Sequence, residues 1–220
     1  MLTRELINKN IPRLQLQDTV SKALRLTNDF RVSHLPVVSE DKFLGLVSED
    51  DLLDADDDKL PIEALQKHFQ QAAVLDSVHF LNAVNSSIQY ETNVVPVVTA
   101  ENELAGVITT ADLLKKLGDF AGANEIGGII VIDMERSQFA ISEISRIVES
   151  NDCHILHLNT QVDATTGILT VTLHINKREI SAVVATFERY DYNVTYNFGV
   201  ETFENEINTN YRHLMNYLDI

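Results

Sequence analysis

The chain has 220 residues, 45 % of them hydrophobic and 23 % charged, which suits one large or two modest globular domains and excludes collagen-like, coiled-coil-only and disordered chains. Lys and Arg total 17 against 33 Asp and Glu, a formal charge of −16, and no segment carries the basic footprint that nucleic acid or an anionic membrane requires, so neither is expected as a partner. Cys153 is the only cysteine, so no intrachain disulfide forms; the opening Met1-Leu2-Thr3-Arg4-Glu5-Leu6 lacks the apolar core of a signal peptide, and a cytoplasmic protein without a membrane span is the expectation.

The first half of the chain is a tandem duplication. Leu35-Pro36-Val37-Val38 is matched by Val95-Pro96-Val97-Val98 at an offset of 60, and Gly45-Leu46-Val47-Ser48 with Asp51-Leu52-Leu53 by Gly106-Val107-Ile108-Thr109 with Asp112-Leu113-Leu114 at an offset of 61. Upstream of each proline lies a helical spacing: Val20, Ala23, Leu24 and Thr27 in the first copy, Phe80, Ala83, Val84 and Ser87 in the second. Each copy then predicts a short strand headed by its proline, a polar turn (Ser39 to Lys42; Thr99 to Glu103), a second strand ending at Val47 or Ile108, and a second helix. The boundaries expected are 1–60 and 61–122 for the two copies.

Beyond Gly118 the pattern changes, with Gly122, Gly127 and Gly128 marking a linker. Ile129 to Asp133 reads as a strand, and Ala140, Ile144, Ile147 and Val148 as one helical stripe. Leu156, Leu158, Thr160 and Val162 alternate, as do Leu169, Val171, Leu173 and Ile175 across the turn Asp163 to Gly167. Ile180, Val183, Val184 and Phe187 give a second stripe, and Val194, Tyr196 and Phe198 a last strand. The order is βαββαβ, the ferredoxin-like plan, over 123–200. In 201–220, Ile207, Tyr211, Leu214, Met215 and Leu218 fall on one face of an amphipathic helix.

The residues with chemistry are the duplicated hydroxyl and carboxylate, Ser48 with Asp51 and Thr109 with Asp112. At a strand-to-helix junction the hydroxyl caps free amides and the carboxylate sits where the helix dipole favours an acid. The same geometry lets a carboxylate accept both hydroxyls of a ribose while the hydroxyl meets a neighbouring oxygen or phosphate. The residues alone leave both readings open.

On these motifs, residues 1 to about 120 resemble a tandem pair of CBS domains, named for cystathionine β-synthase. The resemblance implies a regulatory module with pseudo-twofold symmetry, often paired with a second copy into a dimer. Its clefts would take AMP, ADP, ATP, S-adenosylmethionine or a dinucleotide, with Mg²⁺ accompanying a nucleotide. Carried over by position, Ser48 and Asp51 would touch ribose or phosphate in one cleft and Thr109 and Asp112 in the other, with His34, Leu35, Pro36, Val94, Val95 and Pro96 lining the adenine pockets. The βαββαβ segment resembles an ACT-type regulatory domain. Members of that family that bind amino acids carry a glycine where the first strand turns into the first helix; here the stretch is Met134 to Phe139, which favours dimerisation over ligand binding. The whole order resembles acetoin utilization protein B-like regulators. The fold class expected is therefore α/β (α+β): a tandem CBS pair, an ACT-type domain and a terminal helix.

Function is accordingly expected to be non-enzymatic sensing of an adenosine ligand by a homodimer that passes its state to a regulated enzyme or transporter. The alternatives are an interaction module with vestigial clefts, or an amino-acid sensor through the ACT-like segment. Glu49, Asp50, Asp51, Asp54, Asp56, Asp57 and Asp58 form an acidic run, read as a solvated helix and loop that would repel bare phosphate if it neared the cleft. Lys115 and Lys116 make the second cleft the more phosphate-tolerant. His154 and His157 should face opposite ways on a strand, and in-register pairing of the two alternating strands would set His157 opposite His174; no metal is expected. No P-loop, Cys-x-x-Cys or nucleophile elbow is present in the sequence.

Overall fold

The computed structural model describes residues 1–199; the amphipathic pattern of Ile207 to Leu218 lies outside them. The chain divides into two compact units, Met1–Leu117 and a second beginning at Gly118. Helices and sheets of both kinds are present, an α+β chain.

In the first unit each repeat opens with a two-residue strand, β1 (Leu14–Gln15) or β4 (Val74–Leu75), followed by a helix, α1 (Val20–Phe30) or α3 (Leu81–Gln89). An antiparallel pair comes next, β2 (His34–Ser39) with β3 (Lys42–Ser48), or β5 (Val94–Val98) with β6 (Leu104–Thr109). A closing helix ends the repeat, α2 (Glu49–Leu53) or α4 (Thr110–Phe120). The apolar spacing that predicts α1 buries Val20, Ala23 and Thr27, and Thr19 caps the helix by accepting from the Lys22 amide. In α3 the serine that is buried is Ser86, which donates to Ala72 O, while Ser87 is half-buried.

The prolines do not head their strands. Pro36 pairs with Leu46 as the third residue of β2, and Pro96 with Val107 as the third of β5. Leu46 exchanges both its backbone bonds with Gln70, and Val107 both of its own with Asn8. The strand pair is therefore non-hydrogen-bonded at each proline, and the missing amide costs nothing there.

Those same bonds show that the lead-in segments are exchanged between repeats. The segment before the first repeat adds to β6 through Asn8, and the segment between the repeats adds to β3 through Gln70. Gly45 (φ +152°) and Gly106 (φ +151°) make room for them, because a Cβ would collide with Phe69 Cβ in the first repeat and with Ile7 Cγ2 in the second. Cores are shared likewise. Val94 and Val107 pack in the cluster around Leu14, Val20, Leu35 and Val47, and Leu6 and Ile7 pack against the cluster of Phe80, Val95 and Ile108. Each fully buried side chain of this size contributes about 1.5–3 kcal/mol.

The second unit is β7 (Gly128–Met134), α5 (Ile141–Glu149), β8 (Ile155–Val162), β9 (Leu169–Ile175), α6 (Ser181–Arg189) and β10 (Asn193–Phe198), the βαββαβ order the alternation predicts. Its antiparallel sheet has the order β10-β7-β9-β8. Ile130, Ile132, Leu173, Ile144, Ile147 and Phe187 close one core between one sheet face and the two helices. His157 does pair with His174, after a bulge at Leu156, whereas His154 lies just outside the strand. Between β7 and α5, Glu135 and Gln138 form a capping box around a short 3₁₀ turn, so side chains fill the stretch where the resemblance asks for a glycine.

Candidate duplicated cleft

Each hydroxyl–carboxylate pair sits where the second strand of its repeat becomes a helix. Ser48 accepts from the Asp51 amide at 3.0 Å and donates to Asp51 Oδ2 at 2.5 Å. Thr109 accepts from the Asp112 amide at 3.2 Å and donates to Asp112 Oδ2 at 2.7 Å. Both hydroxyls thus act as helix caps and orient their carboxylates, leaving Oδ1 of each as the acceptor not spent on the cap. The same backbone bond fixes both junctions, since Glu49 N donates to Ser33 O at 2.8 Å and Thr110 N to Asn93 O at 3.0 Å.

Ser33 and Asn93, equivalent residues ahead of β2 and β5, tie the repeats together. Ser33 N and Ser33 Oγ both donate to Asn93 Oδ1 at 2.9 Å, and Ser33 Oγ lies 2.9 Å from His34 Nδ1. With the Ser33 proton committed to Asn93, His34 Nδ1 carries the hydrogen and donates, which leaves Nε2 as an acceptor. His34 is 7 % exposed. Burial holds its pKa below the usual 6.5, against an opposing pull from Asp51 and Asp50.

Of the residues expected to line the adenine pockets, His34 stands at the end of β2 opposite Ser48. Leu35, Pro36, Val94, Val95 and Pro96 are all buried. Leu35 and Val94 share one core cluster and Val95 belongs to another, so their side chains serve packing, and what they offer a ligand is the backbone edge and the strand end. The acidic run is solvated from Asp54 to Asp58, apart from half-buried Ala55. Lys115 is exposed and Lys116 half-buried on α4.

His68 is a site residue that the sequence pattern did not single out. It ends a 3₁₀ turn, Ile62–His68, and its Nδ1 lies 3.5 Å from Asp51 Oδ1. The exchanged segments explain the approach. His68 stands two residues before Gln70, which bridges to Leu46 two residues before Ser48; Leu6 stands two residues before Asn8, which bridges to Val107 two residues before Thr109. Ile7 and Phe69, which follow, have the same backbone conformation (φ −61° and −62°). Leu6 and His68 are thus equivalent, and so are Val94 and His34. Asp51 thus has the His68 imidazole 3.5 Å away and His34 within reach of its charge, and the equivalent positions in the second repeat are held by Leu6 and Val94.

A separate groove of about 420 Å³ runs between α3 and α4, lined by Val84, Ile88, Leu113, Leu114 and Leu117 among others. It is apolar and does not include Thr109 or Asp112. Among the described residues no group of three or more His, Cys, Asp or Glu is placed to hold a metal ion, and no helix is long and apolar enough to cross a membrane. Burial raises the Cys153 thiol pKa, which disfavours the reactive thiolate.

The family model of the CBS domain matches residues 4–58 and 80–119, the two stretches that carry the duplicated motif, so these stretches are similar to a tandem pair of CBS domains. Among curated proteins it is 31 % identical over 109 residues to a homoserine O-acetyltransferase of Methanobrevibacter ruminantium, covering 48 % of this chain and 22 % of that protein. It is 26 % identical over 162 residues to an inosine-5′-monophosphate dehydrogenase of Methanocaldococcus jannaschii, covering 70 % of this chain and 32 % of that one. The chain therefore spans about a fifth to a third of the length of these relatives. A solved CBS domain pair/ACT domain protein of Thermotoga maritima superposes with a TM-score of 0.50 at 20 % identity, covering 55 % of this chain and 98 % of its own, a likeness of fold.

Proposed function

We propose that this chain is a non-enzymatic, cytoplasmic regulatory protein whose two CBS clefts bind an adenosine-containing ligand: AMP, ADP, ATP, S-adenosylmethionine or a dinucleotide, with Mg²⁺ where the ligand is a nucleotide. The carrying observation is the duplicated geometry, in which a capping hydroxyl orients a half-buried carboxylate and leaves its Oδ1 outside the cap. Asp51 and Asp112 would accept the ribose hydroxyls. Ser48 and Thr109 would meet a phosphate or ribose oxygen by giving up their bond to the carboxylate. The edges of His34-Leu35-Pro36 and Val94-Val95-Pro96 would hold the base, and His34 Nε2 is an acceptor suited to an adenine amino group.

Binding regulates only if the ligand prefers one of two conformations. We assign the relay to a homodimer interface and to the βαββαβ unit, read as ACT-like in the manner of acetoin utilization protein B-like regulators, with an enzyme or transporter as target. Exposed Ile88, Leu114 and Leu117 beside the α3–α4 groove support pairing with a second copy.

A second reading, an interaction module with vestigial clefts, is favoured by one fact: both hydroxyls are already spent as caps. Thermal shift with AMP, ADP, ATP with and without Mg²⁺, S-adenosylmethionine and NAD separates the two. A ligand at about 100 times its Kd should stabilise the fold by about 2.7 kcal/mol, several degrees in Tm; Asp51→Asn or Asp112→Asn should reduce the shift, and the double variant should remove it. No shift from any of them, in protein shown to carry no adenine compound, leaves the assembly module as the account.

A further inference from the structure

We infer that His68 is a gate on the first cleft: its imidazole sits against Asp51 Oδ1, so a ligand reaches that carboxylate only by displacing it, a restraint the second cleft lacks. The inference rests on the reading of Asp51 as a ribose acceptor.

Three observations carry it. Ser48 takes Asp51 Oδ2 and His68 takes Oδ1, so both oxygens of the carboxylate are engaged. Asp112, by contrast, bonds Thr109 through Oδ2, and its Oδ1 has no partner among the described residues. Finally, His68 is delivered by the exchanged segment between the repeats, while the segment ahead of the first repeat delivers Leu6 to the equivalent place. Leu6 packs against the cluster of Ile108 and Leu113 and offers Asp112 no charge.

The His68 side chain is 61 % exposed and that of Asp51 27 %, so the pair is a reversible latch. Exposed ion pairs of this kind are worth about 0.2–1 kcal/mol, up to about a fivefold effect on a competing ligand. The charged groups on the packed elements are Glu49, Asp50 and Asp51 on α2, Glu63 and Lys67 on its own turn, and His34 at the end of β2. Of these, Asp51 is the one that reaches the imidazole.

The test is calorimetric titration of the full chain with AMP, using Asp112→Asn to isolate the first cleft, with and without His68→Gln. The gate predicts that His68→Gln tightens AMP by up to about fivefold. Equal affinities overturn it, and weaker binding by His68→Gln overturns it in favour of His68 as a phosphate partner. If AMP binds none of the proteins, unsubstituted chain included, the nucleotide reading fails and the gate fails with it. If the unsubstituted chain binds but the Asp112→Asn background does not, the first cleft takes no ligand and the gate alone is overturned.

Discussion

The two repeats share a backbone plan and differ in what surrounds their carboxylates. Both junctions are anchored by an amide-to-carbonyl bond from the helix to the residue before the first strand, and both hydroxyls cap the same way. Yet the first has His34 and His68 where the second has Val94 and Leu6. Duplication preserved the frame that aims a carboxylate, and divergence fell on the walls. The two carboxylates therefore differ in electrostatic surroundings: an imidazole stands against Asp51, while Asp112 shares its helix with Lys115 and Lys116.

The largest effect should come from the frame. Gly45→Ala and Gly106→Ala each drive a methyl into an exchanged segment at a φ that side chains disfavour, and each should destabilise the first unit by about 1–3 kcal/mol or more. Chemical denaturation reads this directly, and a neutral result at one glycine would mean that its lead-in segment is not held as the other is.

Next come the caps. Ser48→Ala and Thr109→Ala should each cost about 0.5–2 kcal/mol. α2 has 5 residues and α4 has 11, so a loss of helical signal should follow Thr109→Ala more than Ser48→Ala in circular dichroism.

The walls should show in the pH dependence of stability. Burial lowers the His34 pKa in the folded protein, so the unfolded chain binds the proton more readily. Stability is therefore full above the usual value of 6.5 and is lost as pH falls below it. His34→Val, which copies the second repeat, should flatten that part of the profile in melts run across acid to neutral pH. An unchanged slope would remove His34 as its source.

The smallest effect belongs to the exposed Lys42–Glu103 pair at 3.0 Å, which links the hairpin ends of the repeats. Lys42→Ala should change stability by less than about 1 kcal/mol, and added salt should shrink the difference further.

Comparing the repeats also shows what a sequence makes legible. The strands, helices and motif were readable because each depends on local periodicity or on a match between copies. Leu35-Pro36-Val37-Val38 and its echo locate β2 and β5, and alternation in 155–175 locates β8 and β9 with His157 opposite His174. The prolines were misplaced at the strand heads because the strands extend two residues further back, through His34 and Val94. The reason Pro36 is tolerated lies in Gln70, a residue from a non-periodic segment.

That same segment hid His68. It ends a 3₁₀ turn with no apolar repeat, and its equivalence to Leu6 exists only through bridges to two different strands. The one trace was that Leu6-Ile7-Asn8 and His68-Phe69-Gln70 each place an apolar residue before an amide, too little to align without the sheet. Leu35, Val94 and Val95 are fully buried core, as strands covered on both faces require.

The most direct test of the central claim, that the duplicated carboxylates are ligand acceptors, is an AMP titration of the unsubstituted chain beside Asp51→Asn, Asp112→Asn and the double variant, followed by calorimetry near neutral pH. The account predicts saturable binding, loss of one component of it in each single variant, and none in the double variant. Binding that survives intact in the double variant, or no binding in the unsubstituted chain, would contradict it and return Ser48-Asp51 and Thr109-Asp112 to the role of helix caps.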